Sequence, residues 1–450
     1  MSGCSRRFLN NSATFKRLIG LLFLLYSQNA PAQFSPETAN NYWSANHALH
    51  DKAAKNIIKS KVAFGEVDQF LKDGRTYSQD VNKGFFGWDR RTKEGIQLFA
   101  LILVPRDYTP EKKWPVRVVL HGDISHMDAY NVFRFIDTTL QSYKEVEEIR
   151  IYPSGYFAAR WYYKIQYENI MYLLDSVKQL YNVNENLISM SGFSDGGTGT
   201  YAFVNYNVTP FNCFLPYIGS CGSLKVLGKR QVYFNNYRNK PMFIVNGKLD
   251  QTFPPPIVVP YVEAIQRLNN VVSFFMIDTC DHTLRWLPQY KDTIDRFILE
   301  HTRNPNPSHL VWQTDNANMF NRNHWALITG IGKSESNSVS LIDYNEIIAD
   351  GKYLQAFRRD SLSGIIDVTA SGNTINVLTK NITSYTLLLS PDQFDFSQPF
   401  KITTNNVISF EGMIEKDVAT LLKWNSIDND RTMLYAAEKE IVVGKVFKLK

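Results

Sequence analysis

The chain of 450 residues lacks the short motifs that identify most nucleotide- and metal-dependent proteins. It contains no P-loop, no dinucleotide-binding fingerprint and no zinc motif. His47 and His50 could share one face of a helix, but no carboxylate or cysteine cluster completes a metal site with them. We therefore expect chemistry that is carried by side chains alone, with neither a metal ion nor an organic cofactor.

Cysteine is also scarce, with four residues in the whole chain. Cys4 lies in the N-terminal leader described next, which leaves Cys213, Cys221 and Cys280. An odd number of cysteines allows at most one intrachain disulfide in an exported protein. Cys221 and Cys280 are the candidate pair, because both fall in loops near the candidate site. Buried or free thiols are the alternative.

No segment reaches the roughly 20 consecutive apolar residues that a membrane-spanning helix needs. An apolar run near the N-terminus, LIGLLFLLY, follows several basic residues and precedes Ala30-Pro31-Ala32. This order is typical of a secretory signal peptide. We expect residues 1–32 to be cut off after Ala32 and the mature protein to be secreted or periplasmic. An uncleaved signal anchor is the alternative. A twin-arginine signal is disfavoured because Arg6-Arg7 lies far from the apolar run.

A strong excess of charge of one sign is missing once the leader is set aside. The formal net charge of +6 includes four basic leader residues and no acidic ones, so the mature chain carries +2. The four are Arg6, Arg7, Lys16 and Arg17. A nearly neutral protein has no electrostatic basis for binding nucleic acid. We expect neither a nucleic-acid partner nor an integral membrane segment in the mature chain.

Between residues 97 and 300, apolar runs typical of strands alternate with segments whose apolar residues fall at helical spacing. Strand-like runs include VRVVLHGD, LISMS, PMFIVNG and VSFFMID. Ile170, Leu173, Leu174 and Val177 mark one of the helices. This alternation predicts an α/β domain over residues 33–304, with a mostly parallel sheet flanked by helices.

The alternation stops at RNPNP, residues 303–307, which is typical of a linker. Strand-like segments with turn signals follow, such as GIIDVTASGNTINVLT. We therefore expect a smaller, β-rich C-terminal domain over residues 308–450.

The stretch NLISMSGFSDGGTGTYAF places Ser194 between Gly192 and Gly196, after a short apolar strand and before a helix. A serine hydroxyl is a weak nucleophile that needs a base, an acid to orient the base, and donors for the oxyanion. The G-x-S-x-G turn of α/β-hydrolases presents a serine in this strand–turn–helix context. Ser194 is therefore the candidate nucleophile.

The acid and the base should follow the serine in that order, each after a later strand. Asp250 follows MFIVNG, and His282 follows VSFFMID. Asp278 and Asp281 are rival acids, but they share a loop with the histidine. Taken singly, Asp250 could cap a helix and His282 could be an ordinary loop residue. Their arrival in the required order favours a Ser194–His282–Asp250 triad.

An oxyanion hole needs two backbone N–H groups. We expect one from Asp195, the residue after the nucleophile, and one from the loop that holds Gly122 and Asp123. A simple tight turn is the alternative interpretation of HGD. His121 precedes the other candidates in the chain, which favours a structural role. An aromatic-rich segment, ARWYYKIQYEN, could line a pocket, although core packing is the simpler interpretation.

With these residues in view, the chain resembles exported bacterial α/β-hydrolases of the carboxylesterase, polyhydroxybutyrate-depolymerase-like and prolyl-oligopeptidase-like kind. The similar stretches are VLHGD, YNVNENLISMSGFSDGGTG, NKPMFIVNGKLDQTFPP and CDHTLRWLP. The resemblance implies an α/β-hydrolase fold with a Ser194–His282–Asp250 triad. The chain departs from the pattern at Asp123, where a second glycine is commoner, and a side chain there could narrow the oxyanion loop.

Together these features predict a secreted serine hydrolase that cleaves a small-molecule or polymeric carboxylic ester through an acyl-enzyme. A serine peptidase of the prolyl-oligopeptidase type is the first alternative. A non-catalytic binding or scaffold protein that keeps the hydrolase fold is the second, and the complete triad argues against it.

Overall fold

A computed structural model describes residues 34–136, 147–227, 231–333, 341, 346–349, 351–357 and 362–444. The predicted signal peptide, residues 1–32, lies outside the described residues. Among the helices that are described, none is both long and apolar enough to cross a membrane. The chain divides into two compact units, Met1–Arg75 and Thr76–Lys450.

The first unit contains three short helices in its described part. They are α1 Pro36–Tyr42, α2 His47–Ser60 and α3 Phe64–Asp73. Ser35 and Asn46 cap the first two helices, because their side-chain oxygens accept backbone N–H groups of the first turn. Helix α2 ends where Lys61 adopts a left-handed backbone with φ 53°.

The second unit is built on an eight-stranded sheet with strand order β1-β2-β4-β3-β5-β6-β7-β8. Strands β1, β2 and β4 pair in antiparallel fashion, and the pairs from β4 to β8 are parallel. The strands are β1 Gly84–Arg91, β2 Gln97–Val104, β3 Trp114–Leu120, β4 Ile149–Pro153, β5 Val183–Phe193, β6 Phe214–Tyr217, β7 Met242–Gly247 and β8 Val272–Ile277. The predicted mostly parallel sheet is therefore confirmed.

Helices connect the parallel strands. They are α4 Lys164–Leu180, α5 Asp195–Val204, α6 Leu224–Leu227, α7 Pro255–Leu268 and α8 Leu287–Glu300, with 3₁₀ turns at Asn131–Arg134 and Phe234–Asn239. Strand β7 is buried along its whole length, as an apolar strand covered on both faces must be. This arrangement places the carboxyl ends of β3 to β8 along one edge of the sheet.

A β-rich region follows α8, as predicted. Its strands are β9 His309–Thr314, β10 Arg322–Asn323, β11 Ala326–Ile331, β12 Glu346–Ala349, β13 Lys352–Gln355, β14 Gly364–Ser371, β15 Thr374–Lys380, β16 Ile382–Leu389, β17 Phe400–Thr404, β18 Val407–Gly412 and β19 Ala437–Val442. They form sheets with orders β18-β17-β15-β14-β9, β10-β11-β16-β19 and β12-β13. One helix, α9 Val418–Asp428, lies among them and is capped by Asp417.

Buried ion pairs tie this β-rich region to the α/β region. Arg303 donates from Nη2 to Asp430 Oδ2 at 2.7 Å, and the two side chains are 0% and 1% exposed. Arg431 Nε donates to Glu185 Oε1 at 2.5 Å, and its Nη2 donates to the Val183 carbonyl at 2.6 Å. We call Arg303, Asp430, Arg431 and Glu185 the ionic junction. The boundary expected near residues 304–308 stays a prediction, since both regions belong to one compact unit.

The three cysteines of the described chain are free and buried. The candidate pairing of Cys221 with Cys280 is therefore wrong. Cys221 Sγ instead lies 3.3 Å from the Tyr237 hydroxyl, and the Cys280 thiol donates to the Asp281 carbonyl at 3.0 Å. Burial raises the pKa of the Cys221 thiol to about 12, which keeps it protonated.

Candidate active site

Ser194 lies on a sharp turn between strand β5 and helix α5. Its backbone angles, φ 56° and ψ −122°, are strained for a residue with a side chain. The flanking glycines allow this turn because their backbones pack without room for a Cβ. A Cβ on Gly192 would lie 2.3 Å from the Gly196 carbonyl oxygen, and one on Gly196 would lie 2.1 Å from the Leu120 oxygen. The turn therefore requires both glycines and exposes the serine at the sheet edge.

Ser194, His282 and Asp250 form one hydrogen-bonded chain. Ser194 Oγ lies 2.8 Å from His282 Nε2, and His282 Nδ1 lies 2.8 Å from Asp250 Oδ2. A carboxylate can only accept, so His282 Nδ1 carries the proton and Nε2 is free to accept the serine O–H. The imidazole thus has the tautomer that a general base toward Ser194 needs.

Asp250 is buried and held rigidly. Its second oxygen, Oδ1, accepts the backbone N–H groups of Thr252 at 2.8 Å and Phe253 at 2.9 Å. The same Phe253 places its ring edge-on to His282, with centroids 5.6 Å apart. Both carboxylate oxygens of Asp250 are therefore engaged, which fixes the direction in which the acid faces the imidazole.

The loops after β7 and β8 are joined to each other, and this brings the acid to the histidine. The Leu249 N–H donates to the Cys280 carbonyl at 3.0 Å, and a Cβ on Gly247 would lie 2.4 Å from the same oxygen. The rival acids face elsewhere. Asp278 pairs with Lys248 at 3.1 Å, and Asp281 accepts the Thr283 hydroxyl at 2.6 Å.

The loop after β3 lies against the nucleophile. A Cβ on Gly122 would lie 3.0 Å from the Cβ of Ser194, so a larger residue there would crowd the nucleophile. Asp195 is the first residue of α5, and the first N–H groups of a helix have no partner within the helix. Two of the residues predicted to supply oxyanion donors, Asp195 and Gly122, thus lie next to Ser194, while Asp123 follows Gly122 in the same loop.

Asp123 has a left-handed backbone, with φ 50°, and its carboxylate is bound on the solvent side of the loop. It accepts the Ser125 hydroxyl at 2.7 Å and lies 2.7 Å from His126 Nε2. The departure from the usual glycine is therefore accommodated by turning the side chain toward these partners.

The carboxylate of Asp195 joins the nucleophile turn to the same loop. Its Oδ2 accepts the Ile124 N–H at 3.3 Å. Burial raises the pKa of Asp195, and the hydrogen bond from the Ile124 N–H and the charge of Arg160 oppose that rise. Sequence reasoning assigned a backbone role to Asp195 and missed this side-chain contact.

His121 and Trp161 also support the loop, and sequence reasoning did not identify them as a pair. His121 Nδ1 donates to the Gly122 carbonyl at 2.6 Å, while Nε2 accepts the Gly155 N–H at 2.9 Å. Trp161 donates its indole N–H to the His121 carbonyl at 3.1 Å. Burial lowers the pKa of His121 to about 4, so the ring stays neutral. A sequence feature that could have indicated the contact is the glycine at position 199. A Cβ on Gly199 would lie 2.5 Å from the Trp161 side chain.

This arrangement has the parts needed for nucleophilic attack on a carbonyl carbon. It offers a hydroxyl, a base of the right tautomer, a buried carboxylate and a glycine-lined approach to the serine. Within the described residues, no group of three or more His, Cys, Asp or Glu side chains could hold a metal ion.

No protein-family model matches the chain, and no curated protein matches it. Several solved structures match part of the chain. A thermostable esterase is 18% identical with a TM-score of 0.40, over 49% of this chain and 63% of that one. Esterase 2 of Thermogutta terrifontis, phosphorylated by paraoxon, is 14% identical with a TM-score of 0.40, over 48% of this chain and 94% of that one. An S-formylglutathione hydrolase from Staphylococcus aureus is 16% identical with a TM-score of 0.37, over 48% of this chain and 100% of that one. The chain thus spans less than two thirds of the first of these esterases, and each likeness covers about half of this chain.

Proposed function

We propose that the protein is a serine hydrolase that cleaves carboxylic esters through an acyl-enzyme. The hydrogen-bonded chain from Ser194 through His282 to Asp250 carries the proposal, with both distances at 2.8 Å. In α/β-hydrolases this order of nucleophile, acid and base, on loops after successive strands, performs acyl transfer.

In the proposed first step, Ser194 Oγ attacks the ester carbonyl carbon while His282 Nε2 takes the hydroxyl proton. The carbonyl oxygen becomes an oxyanion that accepts the N–H of Asp195 and a second N–H from the Gly122–Asp123 loop. Asp250 holds the imidazole in place and stabilises its protonated form. When the carbon–oxygen bond breaks, His282 returns the proton to the leaving alcohol.

Water completes the reaction by the same steps. His282 removes a proton from water as the oxygen attacks the acyl carbon, and the proton then passes to Ser194 as the acid is released. One ester and one water molecule thus give one carboxylic acid and one alcohol, and no cofactor takes part.

The test is labelling and turnover of the serine. We expect a fluorophosphonate probe to label the wild-type protein and short-chain aryl esters to be hydrolysed. Ser194→Ala should abolish both, with kcat reduced about 10⁶-fold as for other triad nucleophiles. Ser223→Ala is the matched control, because this serine follows the neighbouring strand β6 and lies outside the hydrogen-bonded chain. A wild-type protein that is inert toward probe and esters would refute the proposal.

Proline-containing peptide amides separate the peptidase alternative from the esterase. We expect the kcat/KM for an aryl ester to exceed that for such an amide, and the reverse order would favour the peptidase. If neither bond type is cleaved and no probe is bound, the non-catalytic alternative gains support.

We also propose that residues 1–32 direct export and that the enzyme acts outside the cytoplasm. The basic start, apolar run and Ala30-Pro31-Ala32 support this proposal. N-terminal sequencing of the mature protein should begin at Gln33. Recovery from the cytoplasm of the protein with residues 1–32 still attached would contradict the proposal.

A further inference from the structure

Arg160 lies on a segment that hydrogen bonds attach to the loop beside the nucleophile. We call residues 155–161, which follow strand β4, the rim segment. Besides the Gly155 and Trp161 bonds to His121, the Phe157 N–H donates to the His126 carbonyl at 2.8 Å. The rim segment is therefore attached at three points to the loop that places Gly122 against Ser194.

The guanidinium of Arg160 keeps donors that no described residue occupies. Its Cζ lies 4.9 Å from the centroid of the half-exposed Phe157 ring, and Nη1 donates to the Tyr162 hydroxyl at a long 3.5 Å. Its Nε is buried and has no hydrogen-bond partner in the described part of the chain. Arg160 also forms no ion pair with any described residue. A buried donor without an acceptor is energetically costly, so the hydrogen-bonding capacity of this guanidinium is incompletely used within the described chain.

The charge of Arg160 acts on the nucleophile turn. It opposes the burial that raises the pKa of Asp195, the residue after Ser194. It acts in the same direction on Tyr162, whose pKa burial raises. Arg160 and Asp195 form no ion pair, so the guanidinium charge keeps the capacity to bind another anion.

The order of strands shows on which side of the serine this cation lies. Ser194 follows β5 and His282 follows β8, while the rim segment follows β4, on the opposite side of β5. The leaving-group oxygen must face His282, because the imidazole protonates it. The acyl chain of a bound ester therefore extends away from His282, toward the side that holds Arg160.

We propose that Arg160 binds a carboxylate in the acyl part of the substrate, so that the enzyme prefers half-esters of dicarboxylic acids. This inference rests on the proposed ester hydrolysis and adds a substrate class to it. A guanidinium is suited to the role, since it stays charged and binds a carboxylate through two parallel N–H groups. Arg160 takes no part in bond exchange, and its contribution is to hold the acyl chain beside the oxyanion loop.

The experiment compares three aryl esters with the wild-type protein and with variants. The first has a neutral butyryl group, the second a glutaryl group with a free carboxylate, and the third a neutral acyl group with a carboxylate on the aryl leaving group. Arg160→Gln should lower the glutaryl-to-butyryl ratio of kcat/KM about 10- to 100-fold, the range for a hydrogen bond to a charged group. Arg160→Lys should retain part of the ratio. A ratio does not depend on the fraction of folded protein.

Lys248→Gln is the matched control, because it removes the same charge from the loop that carries Asp250. We expect its ratio to equal that of the wild type. The inference is overturned if Arg160→Gln leaves the ratio unchanged, if Lys248→Gln lowers it equally, or if only the ester with the charged leaving group responds. Absence of hydrolysis and of fluorophosphonate labelling for all three esters would instead refute the proposed function itself.

Discussion

Charged side chains are used in opposite ways in two regions of the molecule. One region is the edge of the large sheet that holds Ser194, and the other is the ionic junction between the α/β region and the β-rich region. At the edge, the His282 side chain is 28% exposed and Arg160 keeps a donor without a partner in the described chain. At the junction, Arg303 and Asp430 are excluded from solvent and pair at 2.7 Å. The other donors of the same guanidinium are also engaged, since Nε donates to Asn186 Oδ1 at 3.1 Å and Nη1 donates to the Thr209 carbonyl at 3.2 Å.

The difference shows how one compact unit separates chemistry from stability. Groups that must act on a substrate need unused hydrogen-bonding capacity, which has an energetic cost in the free protein. Groups that only join two regions reach their lowest energy when every donor and acceptor is paired. Substitutions at the edge should therefore change activity more than stability, and substitutions at the junction should do the reverse.

The largest expected effect concerns the acid of the hydrogen-bonded chain. Asp250→Asn should lower kcat about 10⁴-fold, because an amide no longer stabilises the protonated imidazole or holds its tautomer. Asp278→Asn, the same change on the exposed rival acid, should keep wild-type kcat. Steady-state kinetics on a neutral aryl ester measure both. An equal fall in the two variants would remove Asp250 from its proposed role.

At the junction, Asp430→Ala should lower the free energy of unfolding by about 3–5 kcal/mol, because it leaves Arg303 charged and buried without its partner. The kcat per folded molecule should stay close to that of the wild type. Lys423→Ala is the control, since its pair with Glu438 is solvent-exposed and should contribute less than about 1 kcal/mol. Chemical denaturation and active-site titration measure the two quantities. A lower kcat in the folded Asp430→Ala protein would contradict the assignment of stability, and not activity, to the ionic junction.

A smaller effect is expected where the nucleophile turn meets the oxyanion loop. Asp195→Ala should lower kcat about 10-fold with little change in KM, because the Ile124 N–H loses its acceptor and the loop loses its anchor. Asp195→Asn, which keeps an acceptor oxygen, should restore most of the rate. If Asp195→Ala instead lowers only the melting temperature, the contact is structural and does not position the loop.

A further expected effect is a pH dependence of stability in two windows. Burial lowers the folded-state pKa of His121 to about 4 from 6.5. Burial alone would raise the pKa of Asp430, but the charges of Arg303 and Lys178 lower it to about 2 from 3.8. Both folded values lie below the unfolded values. The stabilisation is therefore complete at high pH and is lost as pH falls, first through the His121 window and then through that of Asp430.

Each group should contribute at most about 1.4 kcal/mol per pH unit within its window. Unfolding free energies of the wild type, His121→Asn and Asp430→Asn measured from pH 7 to pH 2 check this. His121→Asn should flatten the curve between pH 6.5 and pH 4, and Asp430→Asn should flatten it below pH 3.8. Identical slopes in all three proteins would contradict the assignment of the two windows.

Much of the sheet and of the candidate site could be predicted from the sequence because both depend on local patterns. Apolar runs alternating with helical spacing predicted the parallel strands, and the glycines around Ser194 predicted a turn with no room for side chains. The order of Ser194, Asp250 and His282 along the chain predicted which loops should meet. The strands and the turn needed only residue type and local spacing, and the triad needed only the order of its members, although Ser194 and His282 are 88 residues apart.

The same reasoning reached incomplete answers where no sequence motif records the contact. It named Cys221 and Cys280 as a candidate disulfide and left buried or free thiols as the alternative, and the structure has both thiols free and buried. It treated HGD as a loop supplying backbone donors and did not predict that Gly155 and Trp161 hold His121 from 34 and 40 residues away. It treated ARWYYKIQYEN as packing, which is true of Trp161 but leaves the donors of Arg160 unexplained.

The sequence by itself determined the alternation that forms the sheet, the glycines that allow the turn at Ser194, and the order of the three candidate residues. These follow from steric and hydrophobic requirements that each residue imposes on its near neighbours. The tertiary structure alone decided that Arg303 meets Asp430 across 127 residues, and that Asp250 turns both its oxygens to partners. It also decided that Arg160 lies on the rim segment, which is bonded to the loop beside Ser194, and that its Nε has no acceptor among the described residues. Pairings of this kind depend on distances between chain segments, which the folded core sets and no local pattern records.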